Sequence, residues 1–231
     1  MLPLRDTIRS RTFPLVNWAI ILANLGIFFY EASLGPRGVE RLFSTFALVP
    51  SEVTGLQPAG LITLVTSMFL HGGWFHVISN MWTLYIFGDN VEDRMGSSRY
   101  LAFYLLGGIV AGLTHVYFSP STSAPTVGAS GAIAAVLGAY FILFPASRVI
   151  TLVPLFFLPW LMEVPAVVFL GVWFLTQVLS GLVTIGAAGE FSNIAWWAHI
   201  GGFAFGFLMV HVFARRARAY ARWHRDEYWP Y

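Results

Sequence analysis

Long apolar runs without charge alternate with short polar segments along this chain of 231 residues. A helix needs about 20 consecutive apolar residues to cross the hydrocarbon core of a bilayer. The uncharged segment 100–147 is too long for one span, and its Ser- and Pro-rich stretch 119–126 predicts a loop that divides it. The pattern thus predicts six transmembrane helices, near residues 14–30, 74–87, 100–118, 130–144, 164–185 and 194–213.

Two segments between these helices are predicted to be loops. Residues 52–73 are the polar first half of the run 52–89, and we interpret them as a loop that leads into the second helix. Residues 145–165 are apolar but contain four prolines, so we expect a connecting loop in the membrane interface. The pattern shows no soluble domain. We therefore expect a single membrane domain over residues 1–231, with a short N-terminal tail (1–12) and a basic C-terminal tail (214–231).

The composition agrees with a membrane protein and excludes several other classes. Apolar residues make up 57% of the chain, charged residues 10%, and the mean hydropathy is +0.70. A soluble domain carries roughly 25% charged residues, and disordered chains are poor in aromatic residues, which reach 17% here. The absence of cysteine excludes disulfide scaffolds, thiol nucleophiles and cysteine-based zinc sites. The composition therefore indicates an integral membrane protein in contact with the lipid bilayer, and the six predicted helices make it an all-α membrane protein.

The basic residues indicate the orientation in the membrane. All 13 are Arg, and most of them flank the apolar runs, so the net charge of +2 does not indicate a nucleic acid partner. With six spans, 11 of the 13 lie on one side, and Arg37 and Arg41 lie on the other. The Arg-rich side is cytoplasmic by the positive-inside rule. No signal peptide or transit peptide is evident, so we expect a bacterial plasma membrane protein with both termini in the cytoplasm.

Three predicted helices carry polar residues that are costly inside a membrane and often mark function. His76 and Asn80 share one face of the second helix, Ser130 opens the fourth, and His199 lies on the sixth. Each feature also has an ordinary interpretation. Small residues such as Ser130 allow close helix packing, and the other three could bond neighbouring helices or line an ion path.

Taken together, these residues are the parts of a hydrolytic site. A serine hydroxyl becomes a good nucleophile when a base such as His takes its proton. The oxyanion that forms needs preorganised donors, which helix N-termini, Asn and His provide. Ser130 is predicted at a helix N-terminus, and Gly128 and Gly131 would let a substrate backbone approach closely.

Five features resemble the rhomboid family of intramembrane serine proteases and occur in the family's order. They span residues 66–206, most of the chain. They are the run 66–76 that ends at His76, the motif His76-x-x-x-Asn80, the motif Glu92-Asp93-Arg94-Met95-Gly96, the motif Gly128-Ala129-Ser130-Gly131, and Ala198-His199 followed by Gly202 and Gly206.

The resemblance implies a rhomboid-like bundle of six helices with a Ser–His dyad. Ser130 would be the nucleophile, and His199 the general base and then the general acid. His76, Asn80 and the backbone N–H of Ser130 would stabilise the oxyanion. Supporting roles would fall to Gly128, Gly131, His71, Gly202 and Gly206. No Asp or Glu is obviously placed to orient His199, which agrees with a dyad. Neither a cofactor nor a metal is expected.

The chain departs from the family pattern in two places. Many members carry a Tyr four residues after the serine, where this chain has Ala134, so another aromatic residue must support His199, and Trp196 is our candidate. The Trp-Arg pair often found in the first loop is replaced by Ile62-Thr63. Loop anchoring and substrate handling are therefore expected to differ.

The family also implies the substrate class, namely transmembrane segments of other proteins that unwind easily and carry small residues at the cut. The active site would open to the external side. The fifth helix, near Trp173 and Phe174, is our candidate for a lateral gate, and the loop 186–193 for a cap. Two alternatives remain: a pseudoprotease that binds membrane helices without cutting them, and a small transporter that uses the histidines as a polar path.

Overall fold

The computed structural model describes residues 2–155, 158–186 and 194–215. Helices dominate this part of the chain, and three strands form one small sheet. The helices are α1 (Leu15–Ser33), α2 (Pro36–Phe46), α3 (Pro50–Thr54), α4 (Pro58–Thr66), α5 (Trp74–Met95), α6 (Ser97–Phe118), α7 (Ser130–Leu143), α8 (Ala166–Gly186) and α9 (Trp196–Phe213), with a 3-10 turn at Ser67–Phe69. The strands are β1 (Leu2–Asp6), β2 (Arg148–Leu155) and β3 (Leu158–Pro165).

The described residues include a helix at each of the six predicted positions. α1, α6, α8 and α9 are each long and apolar enough to cross a membrane. α5 is long and apolar enough only when it is counted together with the preceding helical segment Pro58–Phe69, from which it is bent by 78°. The remaining helix, α7, corresponds to the fourth predicted helix, near residues 130–144, and has only 14 residues. The predicted all-α membrane fold is thus confirmed.

The short helix α7 lies at the centre of the bundle. Every residue from Gly131 to Tyr140 is buried, which is why this helix shows no polar face in its sequence. α9 packs against it with almost no space between the backbones. A Cβ at Gly202 would collide with the carbonyl oxygen of Gly131, and one at Gly206 with that of Ala135. Small residues thus bring these two helices together.

The predicted loop at 145–165 is wrong, because this segment is a β-hairpin. β2 and β3 pair antiparallel from Arg148↔Pro165 to Leu155↔Leu158, and β1 pairs with the free edge of β2. Pro154 and Pro159 are partners in the strand register, and Pro165 is the last residue of β3, an edge strand, where proline is tolerated. The predicted N-terminal tail therefore includes an edge strand of this sheet.

The predicted loop at 52–73 is also wrong over part of its length. It contains the end of α3, the whole of α4 and the 3-10 turn. Pro50 and Pro58 are the first residues of α3 and α4, a position where proline favours a helix because its missing N–H has no intrahelical partner to lose. The polar composition that suggested a loop is thus compatible with two short helices.

Candidate active site

Ser130 is held at the first position of α7 by the loop that precedes it. Gly128 adopts a φ of +130°, which L side chains rarely adopt, and its N–H donates to the carbonyl oxygen of Ser67 at 2.9 Å. Farther back, Thr126 pairs with Leu48 through two backbone hydrogen bonds of 2.8 and 2.9 Å. The chain therefore enters α7 along a fixed path, and the first N–H groups of the helix are available for a ligand.

His199 meets Ser130 across the contact between α7 and α9. Its Nε2 lies 2.8 Å from Ser130 Oγ, although the two residues are 69 positions apart in the chain. His199, Gly202 and Gly206 lie on one face of α9, so the glycines that allow close packing also direct the imidazole toward Ser130. Both residues are half-buried. Proton transfer between them is geometrically direct.

His76 and Asn80 lie on the other side of the loop that precedes Ser130. A Cβ added to Gly128 would lie 2.7 Å from His76 Nε2 and 3.7 Å from Asn80 Nδ2. Asn80 is 7% exposed, and its Nδ2 has no hydrogen-bond partner among the described residues. A buried donor without an acceptor is uncommon in folded proteins, so the Asn80 amide is free to donate to a ligand or a water molecule.

The other predicted supporting residues fall into two groups. Gly131 and the α9 glycines make the helix contacts that bring Ser130 and His199 together; a Cβ at Gly131 would lie 2.7 Å from Ala111 Cβ. His71 is 2% exposed and lies edge-on to the His76 ring, with 5.1 Å between ring centroids. Its backbone N–H donates to the Glu31 carboxylate at 3.3 Å. His71 thus contacts His76.

The surroundings of His199 include one residue that sequence reasoning missed. Trp196, the predicted aromatic neighbour, stands perpendicular to the His199 ring at 6.1 Å, and Trp173 of α8 lies at 6.0 Å. The missed residue is Gln177, whose Oε1 is 2.8 Å from His199 Nδ1. The sequence contained a signal for Gln177, because an amide in the middle of an apolar span is costly unless it has a hydrogen-bond partner. Of the predicted cap, residues 187–193 lie outside the described part of the chain.

The site lies at the bundle end opposite Arg94 and Arg215. α5, α7 and α9 all begin at the site end, and the opposite ends of α5 and α9 meet where the Arg215 N–H donates to the Arg94 carbonyl oxygen at 2.9 Å. α1 runs in the opposite direction, because its first turn contacts Glu92 near the end of α5 and its Glu31 reaches His71.

These features define a class: a multi-pass helical membrane protein with a Ser–His pair at one end of its bundle. Residues 58–216 match the Rhomboid domain, which covers more than half of the chain. The chain belongs to the rhomboid family.

Curated relatives support this assignment. The chain is 31% identical over 204 residues to RHOMBOID-like protein 12, mitochondrial, of Arabidopsis thaliana, a match that covers 80% of this chain and 54% of that protein. It is 36% identical over 114 residues to Rhomboid-like protein 11, chloroplastic, of the same plant (49% and 37%). It is 27% identical over 174 residues to Rhomboid protein 1, mitochondrial, of Saccharomyces cerevisiae (70% and 47%). The chain thus spans about half or less of each relative.

Proposed function

We propose that this protein is an intramembrane serine endopeptidase that cuts peptide bonds in or near transmembrane segments of other proteins. The observation that carries the proposal is the distance of 2.8 Å between Ser130 Oγ and His199 Nε2. A serine used only for helix packing needs no imidazole nitrogen within hydrogen-bond distance. The Rhomboid domain match supports the same reaction class.

In the proposed reaction, Ser130 Oγ attacks the scissile carbonyl carbon while its proton passes to His199 Nε2. The tetrahedral intermediate then collapses, the C–N bond breaks, and His199 delivers the proton to the leaving amine. Water attacks the resulting ester, gives a proton to His199, and releases the carboxylic acid, after which the proton returns to Ser130. Atoms and charges balance without a metal or a cofactor.

The oxyanion of each tetrahedral intermediate would be stabilised beside the α7 N-terminus. The Ser130 N–H has no intrahelical acceptor at this position, and Asn80 Nδ2 is a buried donor without a partner in the described structure. His76 lies next to the same loop and supplies a third donor. Removal of one such donor costs roughly 100- to 1000-fold in kcat in soluble serine proteases.

The substrate class follows from the position of the site. Ser130 lies at the start of a short helix in the centre of a bundle, so a substrate must reach it from the side or from the aqueous end. A helical substrate hides its carbonyl groups in hydrogen bonds, and segments that unwind easily are therefore favoured. We propose that α8 is the lateral gate.

We also propose that the site opens to the external side and that the Arg-rich end faces the cytoplasm. The relatives named above are organellar by name. They give no support to the bacterial plasma membrane, which stays a prediction.

The test is cleavage of a transmembrane reporter in liposomes by the wild type, Ser130→Ala and His199→Ala. We expect both variants to lose cleavage by at least 1000-fold, because the pair acts as a unit. Ser44→Ala and His211→Ala are matched controls, since both residues are exposed and lie outside the site.

Each outcome separates the proposal from its alternatives. Cleavage that survives Ser130→Ala would exclude this mechanism. A wild type that does not cleave the reporter is next treated with a fluorophosphonate, which labels an activated serine. Labelling that requires His199 would retain the proposal and reject the reporter. No labelling would favour a non-cutting membrane-helix-binding protein or a transporter.

A further inference from the structure

The imidazole of His199 has a second partner, which lies on a different helix from Ser130. Gln177 Oε1 is 2.8 Å from His199 Nδ1, and Gln177 is 5% exposed near the middle of α8. A neutral imidazole carries its proton on one of two nitrogens, and only the form that leaves Nε2 free can accept the serine proton. The group facing Nδ1 therefore decides whether the pair is ready to react.

The hydrogen-bond network assigns the orientation of the Gln177 amide. Gln177 Nε2 lies 3.2 Å from the carbonyl oxygen of Trp173 and 3.1 Å from Thr176 Oγ1. The Thr176 hydroxyl donates to the same carbonyl at 2.6 Å. A carbonyl oxygen only accepts, so the amide NH2 must face Trp173 and the amide oxygen must face His199.

The amide oxygen then selects the tautomer of His199. Because Gln177 Oε1 is only an acceptor, Nδ1 must carry the proton, and Nε2 is left as the acceptor for the Ser130 hydroxyl at 2.8 Å. We infer that Gln177 is a positioning residue that orients His199 and fixes its reactive tautomer. This inference rests on the proposed function, because a tautomer matters only if Ser130 reacts.

The location of Gln177 ties this alignment to α8, a span with a largely exposed outer face. Val172, Leu175 and Leu179 of α8 are 43% to 55% exposed and face outward. Outward movement of α8 would carry the amide oxygen away from Nδ1. The Ser–His pair is therefore fully aligned only while α8 is packed against α9.

Two variants of similar size separate an orienting role from a packing role. Gln177→Leu keeps the bulk and removes the acceptor, whereas Gln177→Glu keeps an acceptor and adds a charge. The control is Leu179→Ala, a change at an outward-facing position of the same helix. We would measure kcat and KM for the reporter, and the rate of Ser130 labelling by a fluorophosphonate, between pH 5 and pH 9.

For Gln177→Leu we expect kcat and the labelling rate to fall about 10- to 100-fold with KM unchanged. This loss is smaller than that for the acid of a charged triad, because an amide holds the tautomer without stabilising a positive charge. For Gln177→Glu we expect near wild-type activity at high pH, with the acidic limb moved about one pH unit upward. A carboxylate beside Nδ1 favours the protonated imidazole.

Among the residues that the structure describes, the titratable groups that interact with His199 are His76 and His115, and both are unchanged in these variants. Equal kcat in the wild type and Gln177→Leu would overturn the inference, as would identical pH profiles for the wild type and Gln177→Glu. A Gln177→Glu variant as slow as Gln177→Leu at every pH would assign Gln177 a packing role. If the wild type neither cleaved nor labelled, the proposed function itself would fail.

Discussion

Glycines at single positions decide how closely α9 approaches α7. At Gly202 a side chain would collide with the backbone oxygen of Gly131, which cannot move without distorting α7. Ser130 immediately precedes Gly131 in the chain, so any such distortion reaches the proposed nucleophile. The stability of the folded protein and the alignment of Ser130 with His199 therefore both require that Gly202 has no side chain.

Gly202→Ala tests this dependence. We expect a loss of about 2–3 kcal/mol in the free energy of unfolding, since overpacking forces backbone shifts. Activity should fall about 100-fold even where the protein remains folded, because a displacement of about 1 Å suffices to misalign reacting groups. Thermal unfolding in detergent and reporter cleavage measure the two effects.

The control is Gly26→Ala in α1, where an added Cβ meets no atom within 4 Å. It should keep wild-type activity and stability. Equal effects of the two substitutions would contradict the role assigned to Gly202.

At the level of elements, Glu92, the first residue of the motif Glu92-Asp93-Arg94-Met95-Gly96, links α1, α5 and α6. Glu92 is 2% exposed and accepts hydrogen bonds from the N–H groups of Val16 and Asn17 at 3.1 and 2.7 Å and from the Ser97 hydroxyl at 2.6 Å. The Glu92 side chain thus accepts hydrogen bonds from N–H groups in the first turn of α1 that have no partner within the helix. It also lies at the positive end of the α1 dipole, where an acidic group is stabilising.

Glu92→Ala should lower the free energy of unfolding by about 3 kcal/mol, because hydrogen bonds to a charged group are lost and buried N–H groups are left unpaired. Glu92→Gln should cost about half as much, since one oxygen remains an acceptor. Chemical unfolding in mixed micelles measures both values.

Glu40→Gln, at an exposed position in α2, is the matched control and should change stability by less than about 0.5 kcal/mol. A Glu92→Ala variant as stable as this control would show that α1 does not need the carboxylate.

At the level of the whole molecule, the sheet connects the N-terminal segment with the centre of the bundle. Asp6, at the end of β1, accepts hydrogen bonds from Tyr140 Oη at 2.6 Å and from Asn90 Nδ2 at 2.8 Å. Burial raises the pKa of Asp6 to about 7, the bond from Tyr140 opposes the rise, and the nearby Asp89 adds to it. The folded protein thus holds this proton at a pH where the unfolded chain has released it.

This shift predicts how docking of β1 depends on pH. The stabilisation from protonated Asp6 is complete below about pH 4 and is lost as the pH rises through 7, at about 1.4 kcal/mol per pH unit between the two pKa values. Hydrogen exchange of the β1 amides, corrected for intrinsic rates, should show protection decreasing over this range.

Asp6→Asn should flatten that dependence, whereas Glu163→Gln, an exposed position on β3, should leave it unchanged. An identical pH dependence in Asp6→Asn and the wild type would assign the effect to another group, with Asp89 the first candidate.

Much of the fold and of the candidate site is predictable from the sequence. Lipid selects for long apolar runs, so α1, α6, α8 and α9 are visible from local composition alone. The residue types of a Ser–His site are equally visible, because polar groups such as Ser130 and His199 stand out inside apolar spans.

The errors at 145–165 and 52–73 came from two different local signals. Proline was interpreted as a loop signal in 145–165 and polar residues in 52–73, but neither signal shows which distant parts of the chain pack against the segment. β2 pairs over residues 149–152 with β1, which is more than 140 residues away in the chain, as well as with β3.

The sequence by itself determined the spans, the Arg-rich side and the chemical groups available for catalysis, since each depends on a residue or on a short run. The tertiary structure alone decided that Ser130 Oγ meets His199 Nε2, that Gln177 Oε1 meets Nδ1, and that the N-terminus joins a sheet. Hydrogen bonds are short and directional, so these pairings depend on ångström-scale helix packing, which the small residues between α7 and α9 control.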